Sequence, residues 1–136
     1  MTKTFRGRCF CKSVKFEIDA PIRWCVYCHC ESCRRQCSAP VTTYICVDHG
    51  QWRWTGAAPK VYHSSPGVER TFCDTCGSPM SFRSENMSGL MNFYVAAMEE
   101  PERFSPGLHV AYEEKLPWMN IKDILPTMTG PRIIAG

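Results

Sequence analysis

Three thiols stand within six residues of this chain, in Cys28-His29-Cys30-Glu31-Ser32-Cys33, and four more come as the tight pairs Cys9-Phe10-Cys11 and Cys73-Asp74-Thr75-Cys76. Any fold the chain adopts must deliver each of these groups on a single turn. In an intracellular protein, C-x-C and C-x-x-C spacings are metal knuckles rather than a disulfide framework. A disulfide scaffold would go with secretion, and the amino terminus MTKTFRGRCF has no apolar signal segment. The expected location is therefore the cytoplasm. Thiolates are favoured ligands of zinc, which they hold tetrahedrally.

The two sets differ in what they offer an ion. Cys9, Cys11, Cys73 and Cys76 make four thiolates, a closed set that would clamp the early strands to the middle of the chain and act as a structural site. Cys28, Cys30 and Cys33 make three. Three protein ligands with one open position is the plan of a catalytic or labile zinc site. Closure by a fourth thiolate is the competing reading. Cys25 points to the opposite face from Cys28 if the segment between them is extended. Cys37 lies four residues after Cys33 and shares its face on a continuing helical turn. His29, between two converging cysteines, is expected to point away from them, and His49, His63 and His109 are scattered.

Around these turns the chain reads as short strands. Val14, Phe16 and Ile18 alternate with Lys15 and Glu17, and Ile22, Trp24 and Val26 alternate again into the central cysteines. Glu31 to Gln36 suits one turn of helix, which Pro40 ends. Further strands are expected at Val41–Val47, Gln51–Trp54, Lys60–His63, Val68–Phe72, Met80–Arg83, Asn92–Ala97 and Leu108–Ala111, with a helical turn at Pro101–Phe104. Ser64-Ser65-Pro66-Gly67 is a strong turn, and Gly77 suits the positive φ of a knuckle. The expectation is an all-β fold of small packed antiparallel sheets around the zinc sites, with short helical turns. It forms one domain over residues 1–136, with a core at about 5–126 and a loose tail from Thr127.

Charge and hydropathy exclude several classes. The formal charge of +3 counts every thiol as neutral; seven thiolates around two divalent ions would bring it to zero. Arg34-Arg35 is the tightest basic pair, so no nucleic-acid partner is expected. No apolar run approaches the roughly 20 residues of a membrane helix, so no membrane partner is expected either.

The cysteine order, with GRCFCKSVKFEI, CHCESCRRQCSAP, YHSSPGVERTFCDTCGSPMSF, AAMEEPERFSPGLHV and the closing Trp118 to Pro126 segment, resembles the glutathione-dependent formaldehyde-activating enzyme family, which also contains centromere protein V. The resemblance runs from Gly7 to Pro126. It implies a structural zinc on Cys9, Cys11, Cys73 and Cys76, and a second, more labile zinc on Cys28, Cys30 and Cys33. It also implies the addition of glutathione to formaldehyde, giving S-hydroxymethylglutathione. The chain departs from the family where glycine is common: Lys12 follows the first C-x-C, and Ser38 stands before Ala39-Pro40.

The expected function is thus a zinc-dependent carbon–sulfur lyase. Its partners would be a small thiol such as glutathione and a small electrophile. Cys28, Cys30 and Cys33 would be the catalytic group, and Arg34 and Arg35 would pair with the thiol's carboxylates. The rival readings are a non-catalytic zinc scaffold for a protein or chromatin partner, and a redox enzyme acting through Cys37 or Cys25.

Overall fold

The computed structural model describes residues 3–130. It holds two β-sheets and a single α-helix among those residues. The small sheet has the order β1-β2-β5, from Thr4–Arg8, Lys15–Asp19 and Trp52–Trp54, all antiparallel. The large sheet has the order β10-β3-β4-β9-β8-β7-β6. Its strands are β3 (Trp24–Cys28), β4 (Thr42–Asp48), β6 (Lys60–Ser65), β7 (Val68–Phe72), β8 (Pro79–Ser84), β9 (Leu90–Tyr94) and β10 (His109–Val110). The helix α1 spans Glu31–Cys37. The all-β expectation holds, with one parallel exception: β10 runs alongside β3, pairing His109 with Tyr27 and Val110 with Cys28.

Period-two patterning explains the layers. Phe16 and Ile18 of β2 turn inward and meet Ile45, Val47, Met91 and Phe93 of the large sheet. The Phe16 and Phe93 rings stack at 4.4 Å, and Trp52 and Trp54 close against Phe93 at 5.7 Å each. β4 is buried at Tyr44, Ile45, Cys46 and Val47 in succession, because both faces of the large sheet are covered at that strand. Tyr44 faces a second core made of Val26, Phe82, Tyr94, Val110 and the cysteines of α1.

Three local expectations are corrected. β1 was not anticipated, since Phe5 is the only large apolar residue in it. The strand forms because Gly7 lets the Phe16 ring lie against the backbone; a Cβ on Gly7 would stand 2.1 Å from Phe16 Cζ. The strand expected at Asn92–Ala97 instead ends at Tyr94, and Val95–Ala97 is a 3₁₀ turn. The tail is not loose where it is described. Met128 N donates to His109 O at 2.8 Å, and Ala111 N and Tyr112 N donate to Gly130 O and Met128 O. Residues 131–136 of that expected tail lie outside the described residues.

Candidate metal centres and an adjoining pocket

The first cluster joins the two sheets. Cys9 and Cys11 sit in the β1–β2 turn, which Cys9 N closes on Val14 O at 3.0 Å. Cys73 and Cys76 sit in the β7–β8 turn, where Gly77, at φ 81°, donates its N–H to Cys73 O at 2.8 Å. Phe10 N donates to Ser78 Oγ at 3.0 Å and ties one turn to the other. The four sulfurs lie within 4.8 Å of one another. Two of the separations are 3.6 Å (Cys9–Cys11) and 3.7 Å (Cys11–Cys73). A tetrahedron with metal–sulfur bonds of about 2.3 Å has an edge of about 3.8 Å, so the donor set fits a divalent ion. Val14 N and Cys76 N point at Cys9 Sγ and Cys73 Sγ, as donors to thiolates do. The Ser78 hydroxyl, aided by backbone N–H groups, pulls the Cys76 thiol down to about 5, and Ser13 chiefly lowers Cys73.

The second cluster is built where β3 runs into α1. Cys28 is the last residue of β3, and Cys30 is the N-cap of α1, its Sγ accepting from Cys33 N at 3.4 Å. The thiol thus does what a serine or aspartate oxygen does at other helix starts. Cys28, Cys30 and Cys33 are fully buried, and their sulfurs lie within 4.8 Å of one another. With the sulfurs this close, Cys28 and Cys33 resist ionising beside Cys30. Cys28 is pushed far up, chiefly by Cys30, and Cys33 to about 12. Both clusters can therefore hold a metal ion, the second only by displacing protons.

Neither spare cysteine joins the three. Cys25 packs into the other core, on the opposite face of β3, where burial raises it to about 11. Cys37 packs beside the cluster and bonds the Tyr94 hydroxyl, but falls outside the group of mutually close sulfurs. Cys37, Thr42 and Tyr94 also line a pocket of about 500 Å³ whose far side reaches Phe10, Met98 and Cys9. Arg34 Nε donates to His29 O at 3.1 Å and its Nη2 to Glu114 O, while Arg35 pairs with Glu31 at 2.7 Å. Neither arginine lines the pocket.

Two features of the site were not anticipated. Arg70, on β7, is 1% exposed. It donates to Tyr94 Oη at 3.0 Å and Ser64 Oγ at 3.1 Å, and approaches Cys33 Sγ at 3.8 and 3.9 Å. A local sign existed: in the period of β7, Arg70 falls on the inward face with Val68. The second feature is a chain behind the ligand turn. Asp123 accepts from His109 Nε2 at 2.9 Å, and His109 Nδ1 meets His29 Nε2 at 2.8 Å. A carboxylate can only accept, so His109 Nδ1 is the acceptor in the neutral ring and His29 Nε2 the donor. Burial, then His109, lowers His29 to about 4, which keeps it neutral. His29 does point away from the sulfurs, and the chain reaches the turn through Asp123, over ninety residues downstream in sequence.

A mostly antiparallel two-sheet fold carrying a closed four-thiol set and a buried three-thiol set defines a class of small metal-binding β proteins. A family model described as glutathione-dependent formaldehyde-activating enzyme matches residues 4–114, and the chain belongs to that family. It is 34% identical over 84 residues to an uncharacterized lyase of Schizosaccharomyces pombe. That match covers 60% of this chain and 59% of the yeast protein. A crystal structure of a Rhodobacter sphaeroides protein shares the fold, with a TM-score of 0.58 at 18% identity over 90% of this chain and 98% of that one. Among the described residues no helix is long and apolar enough to cross a membrane.

Proposed function

We propose that this chain is a zinc-dependent carbon–sulfur lyase. It would act on adducts of glutathione, or a related small thiol, with formaldehyde or another small electrophile. The observation that carries the reading is the three-thiol cluster, from which Cys37 is excluded; Cys37, packed beside the cluster, lines a pocket that none of the three sulfurs lines. Cys28, Cys30 and Cys33 would hold an exchangeable zinc; Cys9, Cys11, Cys73 and Cys76 would hold a structural one. Zinc held there would supply Lewis acidity that lowers the pKa of an incoming substrate thiol. The reaction class is addition of S–H across a carbonyl: the carbon–sulfur bond forms, the C=O π bond breaks, and the thiol's proton ends on oxygen. The reverse step cleaves the same bond.

The chain's own residues supply binding and exclusion of water. Val41, Met80, Ala97 and Met98 give the pocket an apolar wall, and Thr42, Thr43 and Ser78 give it hydroxyls. The phenol of Tyr94, held above its usual range by burial and by Cys33, keeps its proton as a donor. Arg35 is the better placed of the two arginines to meet a substrate carboxylate. Its side chain is 78% exposed, and its present pairing with Glu31 is of the weak i,i+4 kind.

Calorimetry with glutathione against S-methylglutathione tests the proposal. Binding of glutathione alone is expected, since ligation through sulfur requires a free thiol. Equal affinity for the two compounds would remove the mechanism, and a turnover no faster than a zinc-only control would remove the enzyme.

A further inference from the structure

We infer that Arg70 is the counter-charge of the three-thiol site, a positioning residue that fits the site to a divalent ion with an anionic fourth ligand. The inference rests on the metal reading above and deepens it. Arg70 is the largest fully buried side chain among the described residues. A guanidinium does not lose its proton in a protein, and a buried charge is ordinarily paired. Among the described residues no carboxylate forms a salt bridge with it. Its partners are the Ser64 hydroxyl, the Tyr94 phenol, the Phe82 ring at 5.4 Å and Cys33 Sγ. Cys33 is the one partner whose metal-bound form is an anion.

The charges then close. Three thiolates around a divalent cation leave one net negative charge in a buried site. Arg70 cancels it. A fourth thiolate brings the assembly to one negative charge rather than two, and in a poorly screened interior that difference is large. The four-thiol site makes the contrast. Its sulfurs accept from Ser13, Ser78 and backbone N–H groups, and among the described residues no cationic side chain is hydrogen-bonded to them. Cys11 there is exposed, so water can solvate the excess charge. The buried site has no such outlet and carries its own cation.

The test is metal affinity at each site, read by chelator competition on the cobalt-substituted protein, with sulfur-to-metal charge-transfer absorbance reporting the thiolate ligands. Arg70→Gln keeps hydrogen-bond donors and removes the charge; Arg70→Lys keeps the charge. Arg70→Gln is expected to weaken the three-thiol site by roughly 10- to 100-fold and to leave the four-thiol site unchanged. Arg70→Lys is expected to stay close to wild type, and the absorbance change on adding glutathione is expected to follow the same order. Should Arg70→Gln not fold, Arg70→Met, which fills the space without a polar group, gives the same comparison. Wild-type affinity in the charge-removed variant would overturn the inference, as would a loss in Arg70→Lys equal to that in Arg70→Gln. If the wild-type protein takes up no second ion, the proposed function fails first, before any variant is compared.

Discussion

Replacing Lys12 and Ser38 by glycine is expected to stabilise the protein, although both residues are exposed and lie beside the cysteine clusters. Their backbones are left-handed, with φ of 72° at Lys12 and 50° at Ser38. Lys12 N closes the first knuckle on Cys9 O, and Ser38 N and Ala39 N cap α1 on Arg35 O and Arg34 O. The latter pair of bonds is the helix ending in which glycine is the usual residue. A side chain in this region costs about 1–2 kcal/mol. Glycine gives back about 0.5–1 kcal/mol through the greater freedom of the unfolded chain. The difference is about 0.5–1 kcal/mol per site. The two sites share no partner, so the double variant should gain about 1–2 kcal/mol. For a chain of this length that is roughly 3–8 °C in Tm. Urea unfolding at fixed metal content checks it, with the midpoint raised and the slope unchanged. A lowered midpoint in both single variants would refute the reasoning, because it would mean that the side chains make interactions worth more than the backbone cost.

Cys73→Ser is expected to lower the melting temperature sharply, since it opens a closed site whose binding energy is folding energy, while Cys30→Ser stays folded; equal losses would make the central site structural as well. Graded chelation should release one ion early and the other only with loss of fold, and release of both in one step would contradict two unequal sites. Metal affinity of the three-thiol site should fall more steeply on acidification than that of the four-thiol site. Cys28 and Cys33 are raised and must shed protons to bind, whereas in the four-thiol set Cys73 and Cys76 are lowered and Cys11 is raised; competition titrations across neutral pH decide it. Asp123→Asn should destabilise at neutral pH and match wild type in strong acid. Its carboxyl is held low by the hydrogen bond from His109, so its contribution is present above the usual carboxylate range and lost as pH falls through the lowered value; a gap that persists in acid would rule out the charge-assisted hydrogen bond.

What could be read from the chain alone follows how local the cause is. Alternation in Val14-Phe16-Ile18 and Val68-Glu69-Arg70-Thr71-Phe72 is a property of the strand itself, and those strands formed as expected. Cysteine spacing is also local, so the two sulfur clusters were legible before any fold was. β1 was not, because its cause lies in Phe16, whose ring needs Gly7 beneath it. The ordered segment after Thr127 was not, because it is held by the backbone of residues 109, 111 and 112 and by the Glu113 carboxylate. Lys12 and Ser38 sit between these cases. Their identities argue against the turns they occupy; the knuckle bond of Lys12 N and the helix-capping bonds of Ser38 N and Ala39 N go with the left-handed backbone there.

Arg70 shows how the same reasoning could have gone further. Read by composition, it is one cation among sixteen Lys and Arg residues. Read by period, it stands on the buried face of a strand three residues before Cys73, where an unpaired charge is too costly to be incidental. A buried cation implies a buried anion. With the carboxylates near it in sequence, Glu69 on the outer face of β7 and Asp74 in the knuckle, excluded by position, the candidates left are thiolates. The three cysteines at 28, 30 and 33 are the one unsolvated group of them. A charge in the wrong register of one strand therefore predicts, from chemistry alone, that the strand runs beside the three-thiol cluster. In the folded protein β7 lies two strands from β9, whose last residue, Tyr94, carries the hydroxyl that joins Arg70 to Cys37 and the pocket.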